Sequence, residues 1–263
     1  MAKVRLDQLL VDRGFYQSRE KAKANIMAGK ILVEEQKIDK AGTKVPEDAG
    51  IRIIGEVIPF VSRGGLKLAG AVENFNIELK NKIVLDIGAS TGGFTDCALQ
   101  NGAQRVFAVD VGYGQLAWKL RQDSRVISME RTNARYLTLE QLGEVVDFVT
   151  IDVAFISLEK ILPVVPPLLS TAGQIIALIK PQFEAGKEYV GKKGVVRDQK
   201  VHQQVIEKVL GVSRQLNLVV KGLYYSPIRG PEGNIEYLLY LCSEGPAIDV
   251  NIEEIVSAAH RQL

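Results

Sequence analysis

The chain has 263 residues, 46% hydrophobic and 24% charged, with a formal net charge of +2. That balance excludes a disordered or strongly polyionic chain and is enough to bury a core, as one large domain or a medium plus a small one. The two cysteines, Cys97 and Cys242, and the two histidines, His202 and His260, are too scattered for a metal site or a disulfide framework.

The first sixty residues read as a small module. Leu6, Leu9 and Leu10 recur at helical spacing and stop at Gly14, a natural C-cap. Ser18 can cap a second helix over residues 19–28, which Gly29 ends. The strand Ile31-Leu-Val33, a polar turn over residues 34–37 and Ile51-Arg-Ile-Ile54 follow. Arg13, Arg19, Lys21, Lys23 and Lys30 crowd the helical pair, with Asp12 and Glu20 nearby, a face suited to phosphates. The expected organisation is residues 1–57 for the module, 58–63 for a linker containing Pro59, and 64–263 for a second domain. Residues 1–10 carry Lys3, Arg5 and Asp7 rather than an apolar stretch, and no later run could span a bilayer. A reduced, cytoplasmic protein with no membrane span is expected.

Lys67 heads an amphipathic helix whose buried face is Leu68, Ala71, Val72 and Phe75. The strand Ile83-Val-Leu-Asp-Ile87 then runs into Gly88-Ala-Ser-Thr-Gly-Gly-Phe94. No Lys-Ser/Thr pair follows the glycines, which excludes a P-loop, and the spacing misses the dinucleotide fingerprint. An acid inside the strand end followed by this turn suits a ligand with an amino-acid end and no pyrophosphate, such as S-adenosylmethionine. Asp86, Gly88, Ala89, Ser90, Gly92, Gly93 and Phe94 are therefore candidate cofactor residues.

Beyond the loop, apolar strand-length runs alternate with helical stretches at residues 106–109, 126–129, 145–151, 175–179, 218–224 and 237–241. This predicts a doubly wound α/β sheet with its ligand crevice at the strands' carboxyl ends. Asp110 follows one strand, placed for ribose hydroxyls, with Val111 beside it as a further cofactor candidate, and Asn133 and Ala134 follow the next, placed for an adenine edge. Asp152 and Lys180 end two further strands. Glu236 opens the last strand, which must run antiparallel to bring it to the same rim. Methyl transfer from a sulfonium to a hydroxyl needs alignment of the two centres and removal of a proton. A lysine serves as that base when burial or a second cation favours its neutral form. Lys180 is the expected base, with Lys67, Asp152 and Glu236 as its positioning and tuning partners. Residues 184–197, with Gly186, Gly191 and Gly194, read as a mobile loop near this rim.

Two resemblances sharpen the reading. Arg5-Leu-Asp-Gln-Leu-Leu, Gly14, Ser18-Arg-Glu-Lys-Ala and Ala28-Gly-Lys-Ile-Leu-Val33 resemble the RNA-binding domain named after ribosomal protein S4. That likeness implies RNA contacts at Arg5, Arg19, Lys21 and Lys30. Ala89-Ser-Thr-Gly-Gly-Phe-Thr95, Val109-Asp-Val-Gly-Tyr-Gly-Gln-Leu-Ala-Trp118, Glu130-Arg-Thr-Asn-Ala-Arg135, Lys180-Pro-Gln-Phe-Glu184 and Gly233-Asn-Ile-Glu-Tyr237 resemble the TlyA/hemolysin A family, itself similar to FtsJ-type ribose methyltransferases. The resemblance implies a Rossmann-like class I methyltransferase sheet behind a small α+β RNA-binding domain. It further implies S-adenosylmethionine-dependent 2′-O-methylation of cytidine in ribosomal RNA, free or in ribosomal subunits. The catalytic tetrad implied is Lys67, Asp152, Lys180 and Glu236. Ile58-Pro-Phe-Val-Ser62 departs from the Arg-x-Trp linker of some members. Three alternatives stand beside this reading: a membrane-active hemolysin, an inactive RNA-binding assembly factor, and a base methyltransferase. The first lacks an insertion helix, and the last lacks the Asn/Asp-Pro-Pro-Tyr/Phe motif at Asp152-Val-Ala-Phe155.

Overall fold

The computed structural model describes residues 3–16, 18–54 and 58–263, and the chain divides into two compact units, Met1–Val57 and Ile58–Leu263.

The first unit runs β1 (Lys3–Arg5), α1 (Leu6–Asp12), α2 (Arg19–Met27), β2 (Ile31–Val33), β3 (Gln36–Ile38), β4 (Lys44–Pro46) and β5 (Ile51–Ile53). Gly14 takes φ +75° after α1, and the Ser18 hydroxyl accepts from the Lys21 amide at 3.3 Å to open α2. The turn expected over residues 34–37 is shorter. Glu34 and Glu35 alone take positive φ, and Gln36 and Lys37 already pair with Val33 and Leu32. Two left-handed residues match the twist of a tight hairpin, so pairing resumes at once. Leu6, Leu9, Leu10, Ala22, Ile26, Ile31, Val33, Val45 and Ala49 form the core.

The second unit runs α3 (Gly64–Asn74), β6 (Ile83–Ile87), α4 (Gly93–Gln100), β7 (Arg105–Val109), α5 (Trp118–Arg121), β8 (Val126–Met129), α6 (Leu139–Leu142), β9 (Val146–Ile151), β10 (Leu169–Ile179), α7 (Pro181–Glu184), α8 (Gln199–Gln215), β11 (Val219–Tyr225), β12 (Tyr237–Cys242) and α9 (Ile252–Gln262). Its seven strands lie in the order β11-β12-β10-β9-β6-β7-β8, and β12 runs antiparallel to both neighbours. The expected doubly wound α/β sheet is present. Val84, Val106, Phe148 and Ile176 enter one core layer, while Leu85, Phe107, Val149 and Ile175 enter the other. Burial on both faces explains why these strands read as continuous apolar runs.

Two boundaries differ from expectation. Lys67 sits one turn inside α3 rather than at its head, because the helix starts on Gly64 and Gly65. A Cβ on Gly65 would stand 2.3 Å from the Phe60 ring, so only glycine lets the helix begin against that side chain. Strand β10 begins at Leu169, and an irregularity between Leu169 and Gln174 masks its periodicity.

Helix α8 also buries His202 completely. Its Nε2–H donates to the Val196 carbonyl at 3.0 Å, which leaves Nδ1 to accept from the Tyr237 hydroxyl at 2.7 Å. Burial, more than the nearby His260, pushes the imidazole down to about 4, although the Val196 carbonyl and Asp198 favour the cation. On α9, His260 is lowered by its own burial and then by Arg229. An unfolded histidine titrates near 6.5, so this stability is intact above that pH and is lost as pH falls through 4. Asp86, raised to about 6 by burial, works the other way over the same window. The His202 contribution is therefore a difference between proteins. His202→Gln should lose about 2.5 kcal/mol less stability than wild type between pH 7 and 4.5 in urea unfolding. Equal pH slopes for the two would refute it.

Candidate active site

The β6–α4 turn opens at the carboxyl end of the sheet, where the Gly88 and Ala89 amides both donate to the Val109 carbonyl, at 2.9 and 3.1 Å. Ser90 is left-handed at φ +47°, and its amide donates to Asp110 Oδ2 at 2.8 Å. Asp110 Oδ1 accepts from the Gly112 amide at 2.7 Å, so the carboxylate at the end of β7 is held at both oxygens. Around it lies a cavity of about 460 Å³, walled by Ile87, Gly88, Val111, Asn133, Ala134 and Phe155 among others. Gly88, at φ +87°, carries the turn past Asp152, whose carbonyl oxygen would stand 2.5 Å from an added Cβ. Gly88→Ala should cost about 2 kcal/mol or more in thermal unfolding, since left-handed backbone is strained for alanine and Asp152 must also move. An unchanged melting temperature would contradict this.

Not every expected cofactor residue faces that space. Asp86 is buried and accepts from the Thr95 hydroxyl at 2.6 Å and the Thr150 hydroxyl at 2.9 Å, reaching neither cavity of the site. Burial raises its carboxyl to about 6, against the pull of those two hydroxyls. Gly92 is likewise turned away, toward Leu116 and Leu120. Ala89, Gly93 and Phe94 line a neighbouring cavity of about 470 Å³ instead.

That second cavity holds a cluster of charged residues. Lys67, Asp152 and Lys180 line it, and Gly88, Ser90, Asp152 and Ala154 border both spaces. Asp152 stands between the lysines, with Oδ1 2.5 Å from Lys180 Nζ and Oδ2 3.8 Å from Lys67 Nζ. Lys67 Nζ donates to Glu236 Oε2 at 2.6 Å, and Gln182 Nε2 donates to Glu236 Oε1 at 3.4 Å. Tyr237 pairs with Ile179, so the antiparallel β12 brings Glu236 beside Lys180. Four residues separated by up to 169 positions thus form one chain, Glu236–Lys67–Asp152–Lys180.

Several lining residues escape a reading by motif. Ser62, Arg63, Arg229 and Pro231 reach the second cavity from loops. Phe155, 90% exposed at φ +61°, stands 5.0 Å from the Phe183 ring, and Lys180 Nζ lies 5.9 Å from that ring. The loop expected over residues 184–197 is fastened in two places. Glu184 accepts from the Ser157 hydroxyl and the Leu158 amide, and Asn234 bonds Gly194 and Val196.

In the first unit, Lys21 and Lys30 are exposed, whereas Arg5 and Arg19 both pair with Asp7. No group of three or more metal ligands occurs among the described residues, and no helix among them is long and apolar enough to cross a membrane.

Residues 60–242 match the FtsJ-like methyltransferase family, and residues 4–51 match the S4 domain. The chain belongs to the FtsJ-like methyltransferase family. It is 41% identical, over 99% of its own length and 97% of the relative's, to the 16S/23S rRNA (cytidine-2′-O)-methyltransferase TlyA of Mycobacterium tuberculosis. A Bacillus subtilis protein described as "Putative rRNA methyltransferase YqxC" is 52% identical over 99% of this chain and 95% of that protein. Among solved structures, a "Putative hemolysin from Streptococcus thermophilus" superposes with a TM-score of 0.78 at 46% identity, covering 100% of this chain and 97% of the other. In this FtsJ-like methyltransferase the Glu236–Lys67–Asp152–Lys180 chain accordingly lies within the matched residues.

Proposed function

We propose that this protein transfers a methyl group from S-adenosylmethionine to the ribose 2′-hydroxyl of cytidine in ribosomal RNA, acting in the cytoplasm on ribosomal subunits. The observation that carries this reading is the convergence of Lys67, Asp152, Lys180 and Glu236 beside the glycine turn. The relative named as a cytidine-2′-O-methyltransferase supports the choice of substrate.

The residues around the first cavity fit such a cofactor. An acid at the end of β7 can accept from ribose hydroxyls, Asn133 offers an amide to an adenine edge, and Ile87, Val153 and Ile161 supply apolar walls. When bound, the cofactor supplies an electrophilic methyl group. The protein's own part is alignment and proton removal. Lys180 Nζ is the group that takes the hydroxyl proton. Asp152 fixes where Lys180 Nζ sits, and the Lys67–Glu236 pair fixes Asp152 from its other side. Arg63 and Arg229, both exposed at the cavity, suit the phosphates flanking the target. Phe155 and Phe183 offer ring faces on which an unstacked base can rest.

The test is tritiated methyl transfer to purified 30S and 50S subunits, with the label located by nuclease digestion. Label in 2′-O-methylcytidine is expected. Label confined to bases, or absent while the cofactor still binds, would overturn the reading.

A further inference from the structure

Asp7 is the one charged residue of the first unit, among those described, that is fully buried. Its Oδ1 accepts from Arg5 Nε and from the Gln8 amide, both at 3.0 Å. Its Oδ2 accepts from Arg5 Nη2 at 3.0 Å and from Arg19 Nη2 at 2.9 Å. The Arg5 hydrogen bonds, with those of Arg19, outweigh burial and hold this carboxyl down at about 2. Arg5 lies over Gly42, where an added Cβ would stand 3.3 Å from Nη1. Arg19 Nε is buried with no partner among the described residues. One carboxylate therefore ties the start of α1 to the start of α2 through two guanidinium groups, each still about half exposed.

For stability alone this is a poor arrangement. Burying a carboxylate carries a desolvation cost that a well-packed apolar residue would avoid, and pairs with exposed partners return little. Its chemistry suits a different purpose. Two guanidiniums on one carboxylate carry net positive charge and present their remaining N–H donors in a fixed relation, as phosphate oxygens require.

We propose that Asp7 is a positioning residue that locks Arg5 and Arg19 into a two-guanidinium fork for one backbone phosphate of the RNA. This rests on the RNA-directed reading above and assigns the carboxylate, not only the arginines, to RNA binding. Ordering two long side chains before the RNA arrives is worth roughly tenfold in affinity.

The sign of one substitution separates this from simple charge attraction. Asp7→Asn removes a negative charge, so attraction alone makes RNA binding tighter. The fork makes it weaker. With the full-length protein, the dissociation constant for purified ribosomal RNA should rise roughly tenfold, and its logarithmic salt dependence should fall by about one phosphate contact. For subunit methylation, KM should rise while kcat at saturating subunits holds. Because Asp7 is buried, a second protein guards against misfolding. Arg5→Lys/Arg19→Lys keeps both charges and Asp7 but loses the planar fork, and it should weaken binding to the same degree. Adding Asp7→Asn to it should then change little. Tighter or unchanged binding by a folded Asp7→Asn protein would overturn the proposal, as would wild-type affinity in the double lysine variant. Direct RNA binding is the primary readout, so a failure of methyl transfer would strike the reading of the site and leave the fork to be judged on its own.

Discussion

Lys180→Ala should lower kcat for methyl transfer about a thousandfold while cofactor affinity stays within a few-fold of wild type. A positioned general base contributes on the order of a hundred- to ten-thousandfold, and Lys180 is the group assigned to that task. The separation of the two effects follows from the two cavities. Lys180 lines the space that holds the charged cluster and is absent from the walls around Asp110 and Asn133. Asp152 borders both, so Asp152→Ala should damage cofactor binding and turnover together. Lys180→Arg is the sharper probe. An arginine can keep an ion pair with Asp152 but cannot give up its proton in a protein. If Lys180 acted only through its positive charge, the arginine protein would retain most of its activity; as a base, it fails like alanine. Single-turnover transfer to ribosomal subunits, with calorimetric titration of the cofactor, measures both quantities. Activity in Lys180→Arg within tenfold of wild type would remove Lys180 from the role of base.

The architecture behind this site was legible where burial imposes a pattern. Strands β6, β7 and β9 are packed on both faces, and each is a compact apolar run whose end could be placed to within a residue. The polar residues at those ends were legible for the same reason, since a charge that breaks such a run needs a partner or a task. What the pattern could not convey was direction. Asp86 looks like Asp110 in sequence, an acid at a strand end, yet alternation along β6 points it at Thr95 on α4 and away from both cavities. Glycine misled in the opposite sense. The expected helix starts at Lys67, yet the observed one starts on Gly64 and Gly65, a residue type that weakens helices, and only the Phe60 ring shows why it starts there. The three-residue strands β1 and β4 are too short to show any period. Arg63 and Arg229 belong to no periodic element at all, and the cavity collects them from loops remote in sequence.

Removing either partner of the Lys67–Glu236 pair should destabilise the second unit by about 3–5 kcal/mol, a fall of roughly 10 °C in melting temperature. Glu236 is only 1% exposed and Lys67 only 7%, so Lys67→Ala leaves a carboxylate buried with Gln182 as its remaining donor. Glu236→Ala conversely leaves an ammonium group buried with Asp152 3.8 Å away. The cost in each case comes from stranding the other charge, and this dictates the behaviour of the pair. Lys67→Met combined with Glu236→Leu removes both charges at similar volume, and it should recover most of the lost stability. It should not recover methyl transfer, because Asp152 then has nothing to hold it opposite Lys180. Thermal unfolding and methyl-transfer rates on the three proteins therefore diverge, with stability returning in the double variant while activity stays lost. Melting of the single variants together with wild type would mean that water reaches the pair. Activity returning along with stability would mean that Lys67 and Glu236 serve the fold alone.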